Sequence, residues 1–236
     1  RLYLGHTRLS IIDLSSGGHQ PMDSIDGRYS IVFNGEIYNY RELKHELAAT
    51  GHVFRSDSDT EVLLVAWRHW GRDCLARLVG MFAFAVFDRL RQTITCVRDA
   101  FGIKPFFYSY TQNSFVFASE VTALNCIREG KPELDFQQAY DYLVLADYDS
   151  SERTFFRDVR HLRPGYLLTV QLGNGATSLE QWWKPEISQR SSLSFADAAQ
   201  TGRERRILYM DDEEQVRDVA GQILKHLGYR VEFARD

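Results

Sequence analysis

Apolar and polar positions alternate with two different periods along this chain, and each change of period marks an element. Leu2 to Leu14 is strand-like, with one cation, Arg8, at its middle. Ile31-Val32-Phe33 predicts a strand that ends at Asn34-Gly35. Helical spacing follows. Asn39-x-x-Glu42 reads as a capping box for a helix over Tyr40 to Thr50, closed by Gly51, and Ser58-x-x-Glu61 as a second box opening a helix to Trp70, stopped by Gly71. The unbroken run Met81 to Phe87 suits a strand buried on both faces. Thr93 to Val97, Pro105 to Tyr110 and Ser114 to Ala118 predict further short strands, paired as a meander because no helix-length segment separates them. Asp135-x-x-Gln138 opens a helix from Phe136 to about Leu145, and Leu167 to Leu172 and Trp182-Trp183 flank the Gly173-Asn174-Gly175 turn as strands. From Ser188 to Arg206 the periodicity is lost. Strand-like Ile207 to Met210, a helical stretch from Glu213 to Leu227 and strand-like Val231 to Ala234 then form one βαβ unit.

Composition narrows the classes. A net charge of -4 with mixed signs gives no footprint for nucleic acid. No apolar run approaches the length of a membrane span, and no signal peptide opens the chain, so a cytoplasmic setting is the default expectation. Cys74, Cys96 and Cys126 have neither disulfide nor metal spacing and are expected to be buried thiols. Ser16-Gly17-Gly18 faintly resembles an ATP-pyrophosphatase loop, but the Asp-Ser that such a loop needs does not follow, so the segment is assigned to a turn. The chain starts directly in an apolar segment at Arg1, without Met, which reads as a piece of something longer.

Candidate chemistry gathers at Asn34-Gly35-Glu36. A side-chain amide, a bare backbone N–H and a carboxylate fall within three residues, and two adjacent donors are what an oxyanion hole requires. The plain alternative is a strand running into a polar turn.

The ordered segments G-H-T-R-L-S-I-I-D, G-G-H-Q-P-M, F-N-G-E-I-Y-N-Y, S-D-S-D-T-E-V, G-M-F-A-F-A-V-F-D, R-D-A-F-G-I-K-P and F-A-S-E closely resemble the glutaminase domain of asparagine synthetases, class II glutamine amidotransferases of the N-terminal-nucleophile hydrolase type. The resemblance covers about residues 2 to 187. It implies hydrolysis of glutamine by an N-terminal Cys whose own α-amine is the base. It further implies that Arg8 clamps the glutamine α-carboxylate, that Asn34 and Gly35 form the oxyanion hole, and that Glu36 and Asp59 hold the α-ammonium. Pairing with Asp13 is the plain alternative for Arg8, and a first-turn helix acid for Asp59. Arg98, Asp99 and Lys104 match a family signature of mainly structural role. The nucleophile is expected to lie before Arg1, since none of the three cysteines bears a free α-amine. The family's ATP-dependent synthetase domain is not matched, and the glutaminase half implies no cofactor of its own. Residues 206 to 236 resemble the opening of a response-regulator receiver, which would make Asp211 and Asp212 a Mg²⁺-binding pair; a charged helix start is the alternative.

The expected fold is therefore α+β, an αββα sandwich of two mainly antiparallel sheets over residues 1–187, then a linker over 188–205 and a short βαβ receiver-like stub over 206–236. The expected function is a glutamine amidotransferase domain of an asparagine-synthase-like protein, with glutamine and a synthetase domain as partners and this chain inactive for want of the Cys. A non-catalytic signalling module built on a receiver, or a chimeric fragment without its own function, is the alternative.

Overall fold

Alternating burial on long antiparallel strands gives the N-terminal unit two cores, one on each face of its main sheet. The computed structural model describes residues 1–7, 16–110, 114–127, 132–148, 150–185, 206–209 and 230–233. The chain divides into two compact units, Arg1–Lys184 and Pro185–Asp236, each described by itself. In chain order the first unit runs β1 (Met22–Asp23), β2 (Tyr29–Ile37), α1 (Tyr40–Ala49), α2 (Asp59–Trp70), β3 (Gly80–Asp88), β4 (Thr93–Arg98), β5 (Phe107–Tyr110), β6 (Phe115–Ala118), α3 (Val121–Ile127), α4 (Phe136–Leu145), β7 (Arg160–His161), β8 (Tyr166–Gln171) and β9 (Thr177–Gln181).

The main sheet has six strands in the order β1-β2-β3-β4-β8-β9, and a second sheet has three, β6-β5-β7. Every pairing in both is antiparallel. Because side chains alternate across a strand, Ile31, Phe33 and Ile37 of β2 join Phe82, Phe84 and Val86 of β3 in one core beneath Leu47 of α1 and Leu63 of α2. Val32, Ala83, Ala85 and Phe87 face the other way and pack with Phe106 and Tyr108 beside the small sheet. Helix α3 lies against β5 and β6. The layers are helix, sheet, sheet, helix, the αββα arrangement expected from the sequence.

Met81 to Phe87 is buried nearly throughout, as a central strand with a core on each side must be. Helix α4 starts as its sequence dictates: the Asp135 carboxylate accepts from the Gln138 N–H at 3.0 Å. In the second unit, β10 (Arg206–Tyr209) and β11 (Arg230–Phe233) pair in parallel.

Several local expectations are corrected. Strand β2 does not stop at Asn34-Gly35; it runs on to Ile37, paired with β3 throughout. Asn39 makes no cap bond to α1. Its amide instead bridges the next chain segment, donating to the Arg77 carbonyl at 2.9 Å and accepting from the Val79 N–H at 3.0 Å. Ser58 caps α2 by accepting from the Thr60 N–H, but Glu61 turns to the N–H groups of Arg55 and Ser56, so only half of the box forms. Strand β9 ends at Gln181, before the tryptophans, and β5 begins at Phe107 rather than Pro105. Residues 1–7 carry no strand. Cys74 and Cys96 are buried as expected, whereas Cys126 is exposed.

Candidate functional site

The outer edge of β2 is where structure and candidate chemistry meet. In an antiparallel strand, alternate residues turn both backbone groups to the same side. Phe82, opposite Gly35, sends its N–H to the Asp99 carboxylate at 3.2 Å and accepts from the Asp99 N–H at 2.8 Å, so its backbone faces away from β2. Gly35 therefore sits in a non-hydrogen-bonded pair, and its N–H points to the outer edge. Its neighbours on that edge are each satisfied by a side chain: the Phe33 N–H donates to Gln20 Oε1 at 2.6 Å, and the Ile37 N–H to Asp59 Oδ2 at 3.1 Å. Strand β1 reaches only as far as Ile31. Among the described residues the Gly35 N–H, between two capped donors, meets no acceptor.

Gly35 also owes its identity to its partner strand. Its φ is +153°, and a Cβ there would stand 2.2 Å from the Met81 carbonyl oxygen and 2.7 Å from Phe82 Cα. The sequence suggested a glycine chosen for ligand approach; the geometry adds that no side chain fits against β3.

Asn34 and Glu36 project from the face of β2 opposite that of Phe33 and Ile37, and both are half-buried. Asp59 is the first residue of α2 and is buried. Burial pushes its carboxyl above the usual value, against the bonds from the Ile37 and Thr60 N–H groups, and the Glu36 carboxylate adds to the rise. No Lys, Arg or His among the described residues forms an ion pair with Glu36 or Asp59. Two neighbouring carboxylates with no counter-cation among the described residues, one of them desolvated, favour an incoming ammonium. The Asn34 amide likewise has no partner among the described residues. One strand edge and one helix start thus bring together Asn34, Gly35, Glu36 and Asp59, all of them predicted from sequence.

The Arg98-Asp99 pair supports this edge from behind. Asp99 accepts from the N–H groups of Phe101, Ile103 and Lys104 at 2.9–3.0 Å besides that of Phe82. The buried Arg98 guanidinium donates to the carbonyls of Lys104, Gly102 and Leu162 at 2.7–2.8 Å. These are structural tasks, as the signature suggested.

Arg8, Asp211 and Asp212 lie outside the described residues. No group of three or more His, Cys, Asp or Glu among the described residues could hold a metal ion. No helix among them is long and apolar enough to cross a membrane. Sequence reasoning missed Gln20 and Thr60, whose side chains bond each other beside the site; they stand in the G-G-H-Q-P-M and S-D-S-D-T-E-V segments, but neither segment alone says that the two meet.

Two antiparallel sheets between helices make an αββα sandwich, and solved structures of the same fold agree. A glutamine phosphoribosylpyrophosphate amidotransferase from B. subtilis superposes with a TM-score of 0.55 at 17% identity, over 97% of this chain and 50% of that one. A structure described as the allosteric regulatory enzyme of purine biosynthesis gives 0.53 at 20% identity, over 75% of this chain and 35% of that one. The family model for the glutamine amidotransferase domain matches residues 1–183, and the chain belongs to that family. It is 36% identical over 195 residues to asparagine synthetase [glutamine-hydrolyzing] 3 of Bacillus subtilis, covering 82% of this chain and 31% of the relative. With asparagine synthetase [glutamine-hydrolyzing] 1 of the same organism it shares 40% identity over 167 residues, covering 71% of this chain and 26% of the relative. The chain thus spans between a quarter and a third of the length of these curated relatives.

Proposed function

We propose that this chain supplies the glutamine-binding and oxyanion-stabilising part of a glutaminase whose ammonia is passed to an acceptor such as aspartate. On this reading Glu36 and Asp59 hold the α-ammonium of glutamine, and Arg8 its α-carboxylate. Asn34 Nδ2 and the Gly35 N–H receive the oxygen of the side-chain amide. A cysteine thiolate attacks the amide carbon, the C–N bond breaks, and the nitrogen leaves as ammonia once protonated. Water then cleaves the thioester to glutamate. The acceptor and the synthetase partner come from the likeness to asparagine synthetases and belong to the proposal.

None of the three cysteines suits the nucleophile. Burial pushes Cys74 up to about 12 and Cys96 higher still, so neither yields a thiolate at neutral pH. Cys126 is on α3, away from the β2 edge in sequence and without an α-amine. The proposal therefore takes the attacking thiol from outside these 236 residues.

The observation that carries this reading is that two carboxylates without a counter-cation and two donors without an acceptor, among the described residues, meet at one strand edge and one helix start. Titration calorimetry with L-glutamine tests it. Binding is expected to weaken about 10- to 100-fold in Asp59→Asn, the range for one charged hydrogen bond, with no glutamate released by the 236-residue chain. Wild-type affinity in both Asp59→Asn and Glu36→Gln would overturn the reading.

A further inference from the structure

Gln20 belongs to a motif to which the reaction as proposed assigns no role, yet its side chain ends on both halves of the site. The residue is 7% exposed, and its amide lies between Phe33, one residue before Asn34, and Thr60, one residue after Asp59. The orientation of the amide is fixed by chemistry. The Phe33 N–H can only donate, so the atom 2.6 Å away must be Oε1, which leaves Nε2 to donate to Thr60 Oγ1 at 3.2 Å. Thr60 is 3% exposed, so water does not compete at either end.

From this geometry we infer that Gln20 is a positioning residue for glutamine hydrolysis: it sets the oxyanion-binding edge of β2 against the ammonium-binding start of α2. This rests on the function proposed above. Strand β1 stops pairing at Ile31, and beyond it the Gln20 carbonyl is what holds the outer edge at Phe33. Two residues on, the same edge presents the Gly35 N–H. The backbone between these points contains no other outward donor, so a shift at Phe33 passes directly to Gly35. A shift of this sort acts on the donor that meets charge only as the transition state forms, and kcat reports it.

The test is steady-state glutamate release by the protein with its cysteine nucleophile in place, together with thermal melting. Gln20→Met keeps the volume and removes both bonds. It is expected to lower kcat about 10- to 100-fold, the cost of a misplacement near 1 Å, with KM within about twofold of wild type. Thr60→Val leaves the Phe33 bond but frees the far end of the amide, and a smaller fall in kcat, about threefold, is expected. Thr60→Ser, which keeps the oxygen, should recover it. A lowered melting temperature with wild-type kcat in both Gln20→Met and Thr60→Val would overturn the inference, because the amide would then be structural only. A rise in KM at unchanged kcat would overturn it equally. Should Gln20→Met fail to fold, the Thr60 pair decides alone. Absence of glutamate release by the wild-type protein counts instead against the function itself.

Discussion

Replacing Gly35 by alanine tests a close backbone contact of the site. The new Cβ would stand 2.2 Å from the Met81 carbonyl oxygen and 2.7 Å from Phe82 Cα, and both are backbone atoms that no rotamer change can move aside. Strands β2 and β3 are paired over their full length, so relief requires separating them at the centre of the sheet. Overpacking of this kind costs about 1–3 kcal/mol. Holding alanine at a φ of +153° adds about 1–3 kcal/mol. The loss of about 2–6 kcal/mol is a large share of the 5–15 typical of a domain. Gly173→Ala is the control, since nothing lies within 4 Å of a Cβ added there and its φ is not positive. Urea unfolding followed by tryptophan fluorescence is the assay. All four tryptophans, Trp67, Trp70, Trp182 and Trp183, lie in the unit Arg1–Lys184, so the signal reports on that unit. Gly35→Ala is expected to move the midpoint down by about 1 M or more, and Gly173→Ala to leave it nearly in place. Equal midpoints for the two variants would refute the close-approach argument and leave ligand access as the reason for the glycine.

Asp59 carries a pH signature. Its carboxyl is raised in the folded state, chiefly by burial, so the folded chain holds this proton at a pH where the unfolded chain has lost it. Stability therefore falls as pH rises from about 4, the unfolded value, through the raised folded value; in Asp59→Asn that step should be missing from urea midpoints measured across the range. Native-state alkylation followed by mass spectrometry should label Cys126 first, with Cys74 and Cys96 protected until the chain unfolds; early labelling of Cys96 would contradict its burial. Arg98→Lys loses a planar fork that serves three carbonyls, and a loss of about 2 kcal/mol or more is expected in thermal melts.

What the sequence revealed and what it hid divide by range. The Asp135 cap on Gln138 spans three residues, and β3 is a run of apolar side chains whose burial needs no knowledge of its partners. Both are local, and both were legible. Asn39 looked like a cap by the same local rule, but Val79, forty residues on, offered its amide a better-placed donor. Gln20 reaches thirteen residues to Phe33 and forty to Thr60, distances over which neither periodicity nor turn chemistry speaks. Asn34, Gly35 and Glu36 stand out by their residue types and Asp59 by resemblance, with the meeting of β2 and α2 supplied by the fold. The extension of β2 through Asn34-Gly35 was missed for a related reason. Asn-Gly favours a turn locally, and pairing with all of β3 overrides that preference.

An open edge on a long inner strand is a hazard, because unpaired backbone groups recruit other strands. The outer edge of β2 meets that hazard one donor at a time. Strand β1 covers Ile31, Gln20 takes the Phe33 N–H and Asp59 takes the Ile37 N–H. The caps at Phe33 and Ile37 are side chains rather than another strand, so among the described residues no strand pairs with the edge at Gly35. The cap at Ile37 is itself a desolvated carboxylate next to Glu36, and that electrostatic cost is relieved when a cation arrives. On the proposed function, edge protection and ligand recognition are carried by the same atoms. Asp59→Asn separates the two roles: an amide oxygen can still accept from the Ile37 N–H, keeping the edge capped, while the charge that attracts an ammonium is gone.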